Sequence, residues 1–345
     1  MTGKILVVKT SSLGDVIQSL AVLDELKNNF PNIEIDWVVE EKFQDLLFVH
    51  PLINTVITFN RHQIIKFIRK LRRKKYDVLF DLQGNTKSAI ITLFAKAKEK
   101  VGFGRKSVTE FPNLLVTTKK YNVSKSLNIQ NFYLELIRMH FDIKKTKEKR
   151  FFNLTINPDD IPKALLTTGK DCLKVMVAMN SARKSKELEN TTLISFLQKF
   201  NSLYRVHLYF TYGSIREKEK CDYLKSQINE NCTVLDKMSI PVWQNVMDSM
   251  DLVFTIDTSA LYLAGTTNTV TFSVFGPTNA KVFKPLGKHF STQGPCPYGV
   301  KYLKQCPHLR NCKTSACIKS ITLEKLWNDF QSCLIEIKSY NFKKY

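Results

Sequence analysis

The chain has 345 residues, 43% hydrophobic and 24% charged, the make-up of a globular protein long enough for two separate cores. No apolar run nears the roughly 18 residues that span a bilayer, and Asp15 and Gln18 interrupt any signal-peptide core, so a cytosolic protein is expected. A net charge of +21 favours polyanionic partners such as nucleic acid, an anionic membrane or a phosphorylated substrate.

Residues 4–9 read as a buried strand, followed by the turn Thr10-Ser11-Ser12 and a helix that opens on Asp15. Val16, Ile17, Leu20, Leu23 and Leu26 recur at the spacing of one inner helical face. Neither G-x-G-x-x-G nor G-x-x-x-x-G-K-[ST] occurs, so the usual dinucleotide and phosphate-loop readings do not apply. An anion at a helix N-terminus repels phosphate, which suits Asp15 to a proton or a hydroxyl instead. Strands are expected at 33–40, 55–58 and 76–82, and a helix at 87–96. Between them, residues 61–75 place Ile64, Ile65, Phe67, Ile68 and Leu71 at helical spacing among eight Lys and Arg side chains. This predicts an amphipathic helix whose basic face is either simply solvated or a contact surface for anionic lipid.

The second half repeats the style, with strands expected at 174–179, 204–210, 252–256 and 270–275 and helices between them. A charged patch at 144–150 and an irregular stretch through Pro158, Pro162 and Gly169 mark the linker. The expected division is 1–160, 161–321, and a terminal helix and tail at 322–345 that could pack back on the first domain. The βαβ alternation predicts an α/β protein of two Rossmann-like domains facing across a cleft.

Eight cysteines in a chain this long do not make a secreted disulfide scaffold. Four cluster late, Cys296, Cys306, Cys312 and Cys317, separated by nine, five and four residues. Without a C-x-x-C pair they are a weak metal set, with His308 as a substitute ligand, and no metal is the working expectation.

The opening Lys-Thr-Ser-Ser-Leu-Gly-Asp15, Asp36-Trp-Val-Val-Glu-Glu41 and Asp81-Leu-Gln-Gly84 with Lys87-Ser88-Ala89 resemble the lipopolysaccharide heptosyltransferase family. So do Val234-Leu-Asp-Lys-Met-Ser239, Ile256-Asp-Thr258 and Val274-Phe-Gly-Pro-Thr278, in the same order, so that the likeness covers about residues 4 to 280. It is nearest to the family members that add the first heptose to the Kdo residues of lipid A. The resemblance implies a GT-B fold, an N-terminal acceptor domain, a C-terminal ADP-heptose domain, and an inverting, metal-independent transfer with no cofactor. Such a transfer needs a base for the acceptor hydroxyl and positive charge for the departing diphosphate.

By the same resemblance Asp15 is the base, with Thr10, Ser11 and Ser12 contacting substrate. A helix N-terminus favours the charged form of a carboxylate, which works against that role unless burial or a nearby anion offsets it. Asn180-Ser-Ala-Arg-Lys-Ser-Lys186 resembles the diphosphate loop, with Lys186 as the phosphate cation, Ser181 as a donor, and Arg183 and Lys184 as further cations. Glu217 matches a carboxylate that accepts ribose hydroxyls, and Met238 a position beside adenine. Asp257 and Thr258 fit the diphosphate or sugar. The family usually has Gly and His where this chain has Ser259 and Tyr262, and a tyrosine cannot carry positive charge at neutral pH. Arg61, Lys66, Arg105 and Lys106 stand where the family binds Kdo carboxylates and lipid A phosphates.

The implied protein is a monomer working at the cytoplasmic face of the inner membrane, held there by the basic helix 61–75. Three other readings stay open: the same fold with a later core heptose or a protein as acceptor, a non-catalytic nucleotide-sugar binder, and a nucleic-acid-binding protein. The last has no zinc-finger, RNP-type or helix-turn-helix signature, so no nucleic-acid partner is expected.

Overall fold

The computed structural model describes residues 3–144, 151–165, 171–228, 231–337 and 339–343. Gly169 and all of the 144–150 patch except Lys144 fall outside them. The chain forms two units, Met1–Arg150 and Phe151–Tyr345.

The first unit runs β1 (Lys4–Val8), α1 (Leu13–Ser19), α2 (Ala21–Asn29), β2 (Glu34–Glu40), α3 (Gln44–Phe48), β3 (Thr55–Phe59), α4 (Ile64–Leu71), β4 (Tyr76–Asp81), α5 (Thr86–Phe94), β5 (Ala97–Phe103), β6 (Lys119–Tyr121) and α6 (Ile129–Phe141). Its six parallel strands lie in the order β3-β2-β1-β4-β5-β6. The alternation of side chains along β4 assigns the layers. Leu79 packs with Phe67 and Leu71 of α4 and Ile91 of α5. Phe80 points the other way, its ring 5.6 Å from that of Phe141 on α6. Thus α4 and α5 share one face of the sheet, and α6, with α1 and α2 against it, covers the other.

The basic stretch is a shorter helix than the sequence predicts. Asn60 caps a 3-10 turn at Arg61–Gln63, and α4 ends at Leu71. Beyond it Lys74 turns inward to Asp36 Oδ2 at 2.8 Å and Thr55 Oγ1 at 2.8 Å. Only Phe67 and Leu71 of its expected apolar face are fully buried, whereas Ile64 and Ile65 remain 39% and 66% exposed. The sheet is reached by the second turn of the helix, and the first turn overhangs it.

The second unit runs β7 (Leu173–Ala178), α7 (Asn190–Leu203), β8 (Val206–Phe210), α8 (Ile215–Ile228), β9 (Cys232–Val234), α9 (Ile240–Asp248), β10 (Leu252–Ile256), α10 (Ser259–Ala264), β11 (Val270–Phe275), α11 (Ala280–Phe283), β12 (His289–Gln293), α12 (Ala316–Lys319) and α13 (Leu323–Glu336). Its parallel strands lie in the order β12-β11-β10-β7-β8-β9. The division falls after Arg150, ten residues before the expected one. Residues 152–154 are fastened to α9: Gln244 donates to Phe152 O at 2.7 Å and accepts from Leu154 N at 2.8 Å. The terminal helix α13, capped by Thr322, is part of this unit's core rather than a separate piece. Phe330 lies 5.0 Å from Phe272 and 5.2 Å from Phe196, and Trp327 5.7 Å from Phe196.

One buried ion pair ties α2 to α6. Arg138, 8% exposed, donates through Nε to Glu25 Oε1 at 2.6 Å and through Nη2 to Oε2 at 3.1 Å, with Glu25 4% exposed. Breaking such a pair from one side leaves a buried charge without its counter-ion. Arg138→Met is therefore expected to destabilise the first unit by about 3–5 kcal/mol. The Glu25→Met/Arg138→Met double variant should recover most of that loss in urea unfolding, and equal losses in both would show that packing rather than charge is at stake.

Candidate active site

In open α/β sheets ligands gather outside the carboxyl ends of the strands, where the strand order reverses. Here the order reverses between β1 and β4 in the first unit, and between β7 and β10 in the second. The 10–15 turn follows β1 and the Gln83–Lys87 segment follows β4. Lys186 follows β7 and Asp257 follows β10. The residues named from sequence thus fall at both reversal points.

At the first, Val8 pairs with Asp81, so the chain leaves β1 beside the start of the Gln83 turn. Asp81 is fully buried and shapes that turn, accepting from Gln83 N at 3.0 Å, Gly84 N at 2.9 Å, Thr92 Oγ1 at 2.9 Å and Asn113 Nδ2 at 2.6 Å. Burial pushes its carboxyl upward against the pull of these donors. Gly84 has φ +68, a left-handed conformation that costs a glycine nothing. The turn then presents Gln83 Oε1 to Thr10 N at 3.1 Å and Ser11 N at 3.2 Å. Lys87 donates to Ser11 Oγ at 3.1 Å and pairs with Glu40.

Asp15 sits third in α1, and its Oδ2 accepts from Ser12 N at 3.1 Å and Ser12 Oγ at 2.7 Å. This is a capping arrangement that fixes the carboxylate, half-buried, over the turn. Behind it lies Lys9, 4% exposed, with Nζ 4.9 Å from the Tyr133 ring. Burial pulls the Lys9 ammonium down, but Tyr133, Asp15 and Asp81 outweigh it and hold it above its ordinary range. Thr10 is fully buried, and its hydroxyl has no partner among the described residues. It supports the turn from beneath, while Ser11 and Ser12 reach the surface.

At the second reversal point one carboxylate collects three partners. Asp257, 3% exposed, accepts from Thr278 Oγ1 at 2.6 Å, from the Tyr262 hydroxyl and from the Lys186 ammonium. Lys186 Nζ also donates to Asp257 O at 3.0 Å. The network joins the ends of β7, β10 and β11 with the first helical turn of α10, which begins at Ser259 behind Thr258. The loop carrying Lys186 is braced separately. Glu187 accepts from Ser181 N at 3.2 Å and from Lys220 Nζ of α8 at 2.9 Å, and Ser181 Oγ accepts from Arg183 N at 3.1 Å. Arg183 and Lys184 are exposed.

The remaining candidates are spread along the same strand ends. Glu217 lies past β8, with Oε2 accepting from Gly213 N at 2.7 Å. Met238 is half-buried between β9 and α9. Arg105 and Lys106 are exposed past β5, Lys106 N donating to Asn122 Oδ1 at 3.0 Å. Arg61 is exposed past β3, its Nε on His62 Nε2 at 3.1 Å. Lys66 is exposed on α4.

Cys296, Cys306, Cys312 and Cys317 line one small pocket with Tyr298, Tyr302 and Leu309. Among the described residues no group of three or more His, Cys, Asp or Glu is arranged to hold a metal ion. Burial pushes the Cys317 thiol up to about 11, whereas the Thr314 hydroxyl and neighbouring backbone N–H groups bring Cys312 down.

Sequence reasoning quoted Gln83, Lys87, Glu40, Lys9 and Thr278 within motifs but gave none of them a role. Their placement in strongly patterned blocks was the available signal. Glu187 and Lys220, thirty-three residues apart, offered none.

Two tandem Rossmann-like units, each with a polar turn at its reversal point, define a protein of the GT-B fold. Residues 64–299 match the model of glycosyltransferase family 9 (heptosyltransferase). The chain belongs to that family. Lipopolysaccharide heptosyltransferase 1 of Campylobacter coli is 27% identical over 292 residues, which cover 80% of this chain and 84% of that protein. The protein of the same name from Pseudomonas aeruginosa is 26% identical over 320 residues, 85% of each. Among solved structures, the E. coli heptosyltransferase WaaC with ADP-2-deoxy-2-fluoro heptose superposes with a TM-score of 0.73 at 22% identity, covering 96% of this chain and 99% of that one.

Proposed function

We propose that the protein transfers L-glycero-D-manno-heptose from ADP-heptose to Kdo of lipid A, with inversion, in lipopolysaccharide inner-core synthesis. The observation that carries the reading is the Asp15 carboxylate, fixed by Ser12 at the reversal point of the first sheet. In this scheme an acceptor hydroxyl oxygen attacks the anomeric carbon of the heptose, and its proton passes to Asp15. The bond from that carbon to the β-phosphate oxygen breaks, and the electron pair leaves with ADP. Lys186 meets the developing charge, and Ser181 donates to the diphosphate beside it. Thr258 and Ser259 border the diphosphate and sugar, Glu217 accepts from the ribose hydroxyls, and Met238 lies against adenine.

On the acceptor side, Ser11 and Ser12 flank the reacting hydroxyl. Arg61, Lys66, Arg105 and Lys106 take the Kdo carboxylates and lipid A phosphates, and the basic face of α4 rests on an anionic membrane. The relatives named lipopolysaccharide heptosyltransferase 1 support a heptose transfer in lipopolysaccharide synthesis.

The purified protein, given ADP-heptose and Kdo-lipid A, is expected to release ADP in step with heptosylated lipid. ADP should raise the melting temperature more than UDP or GDP at equal concentration. Turnover on a heptosylated core or a protein, but not on Kdo-lipid A, would move the acceptor. ADP binding without transfer to any of them would leave a nucleotide-sugar binder.

A further inference from the structure

Helices α4 and α5 cover the same face of the first sheet, and the 3-10 turn Phe111–Leu115 packs beside α5, where Asn113 donates to Ser88 Oγ at 3.2 Å. The outer side of this layer is apolar where solvent meets it. Ile90, Leu93 and Phe94 stand at i, i+3 and i+4 on α5 and are 46%, 56% and 37% exposed. Phe111 and Leu115 add 60% and 77% exposure. Together they expose on the order of several hundred Å², the size at which an apolar patch on a soluble domain marks a contact site. Ile64 and Ile65 overhang from the adjoining helix. Neither helix nor the turn contains an acidic residue. The nearest, Glu110, is tied to Thr86, whose backbone N–H donates to it at 2.8 Å.

Exposed cations lie on the same layer, Arg69 on α4 and Lys96 just past α5, while Lys70 on α4 donates to Val56 O of β3 at 3.3 Å. Among the described residues no helix is long and apolar enough to cross a membrane. An apolar strip with cations beside it, and Glu110 held by Thr86 next to Phe111, complements an anionic bilayer: headgroups for the cations, acyl boundary for the strip. A basic face by itself would only hover at the headgroups.

We infer that Ile90, Leu93, Phe94, Phe111 and Leu115 form an apolar ridge that inserts into the outer acyl region of an anionic bilayer, with α4 flanking it electrostatically. The inference rests on the proposed membrane-lipid acceptor and adds a mode of attachment: penetration by side chains of α5 and the 111–115 turn, beyond surface adsorption of a basic helix.

The test uses the full chain with vesicles of phosphatidylethanolamine and phosphatidylglycerol. Leu115→Trp is expected to shift its emission to shorter wavelength on binding and to be quenched by lipids brominated on the acyl chain. Phe111→Ser/Leu115→Ser should lower vesicle partition about tenfold or more, including at salt concentrations that abolish the contribution of Arg69 and Lys70. The urea unfolding of the first unit should be unchanged in that variant, which checks that it folds. Flotation with no quenching, lost on Arg69→Glu/Lys70→Glu, would overturn insertion and leave surface attachment standing. A parent that never floats yet transfers heptose to detergent-dispersed acceptor would overturn insertion while sparing the catalytic reading. A concentration-dependent dimer abolished by Phe111→Ser/Leu115→Ser would assign the ridge to a second copy of the chain, and overturn the inference too.

Discussion

Replacing Asp15 with alanine or asparagine is expected to slow heptose transfer by at least about a hundredfold, the scale on which a positioned general base contributes. The two substitutions separate chemistry from architecture. Asp15 also closes the cap at the start of α1, where its Oδ2 receives both bonds from Ser12. Loss of such a cap costs about 0.5–2 kcal/mol of stability and loosens the turn. Asparagine keeps an oxygen that accepts from the Ser12 backbone, so it preserves the turn while removing the basic site. Asp15→Asn should therefore melt close to the parent and still be nearly inactive, whereas Asp15→Ala should lose both stability and activity. In the proposed reading ADP binds the second unit, so its stabilisation should survive in both variants. If asparagine restores turnover to within a few-fold of the parent, Asp15 acts as a cap and the base lies elsewhere.

How much of this was legible in the chain depended on whether the signal was local. The central strands β1, β4, β10 and β11 are continuous buried runs, and a run such as Val-Thr-Phe-Ser-Val-Phe275 permits little besides a strand covered on both faces. The missed strands were those whose side chains are half solvated: Ala97–Phe103 begins Ala-Lys-Glu-Lys, β6 and β9 are edge strands of three residues, and β12 is the opposite edge of the second sheet. They owe their conformation to the neighbouring strand rather than to their own pattern. The basic helix shows the reverse error. Its periodicity was real, but spacing cannot say which turn of a helix reaches the sheet, so Ile64 and Ile65 were grouped with Phe67 and Leu71 although they are exposed. At the candidate site, Asp15, Lys186 and Asp257 were legible because each follows a strong strand. What they bond to was not. The Lys186–Asp257 pair joins residues 71 positions apart, a distance that only the strand order closes. Each unit reads as carrying one prepared turn tied to the neighbouring strand's loop, with the resemblance to the family implying their roles.

Lys186→Met is expected to weaken ADP binding by about tenfold to a hundredfold, the range of a hydrogen bond to a charged group. Turnover should fall by about a hundredfold to a thousandfold, the usual effect of removing one donor from a site of developing charge. An ammonium has three donors. Two are directed at Asp257, one to its backbone oxygen and one to its carboxylate, which leaves the third for a diphosphate oxygen. The competing account is that Lys186 does no more than neutralise a buried carboxylate, and on that account its loss would act through Asp257 alone. The Lys186→Met/Asp257→Asn double variant decides between them. Asparagine removes the stranded charge while keeping an oxygen to accept from one of the Thr278 and Tyr262 hydroxyls, the other turning to accept from its amide, so the double variant should melt well above Lys186→Met. If Lys186 also touches the diphosphate, titration calorimetry will find its ADP affinity still as low as in the single variant. Recovery of affinity together with stability would confine Lys186 to holding Asp257, and the positive charge for the leaving group would then have to come from Arg183 or Lys184 on the same loop.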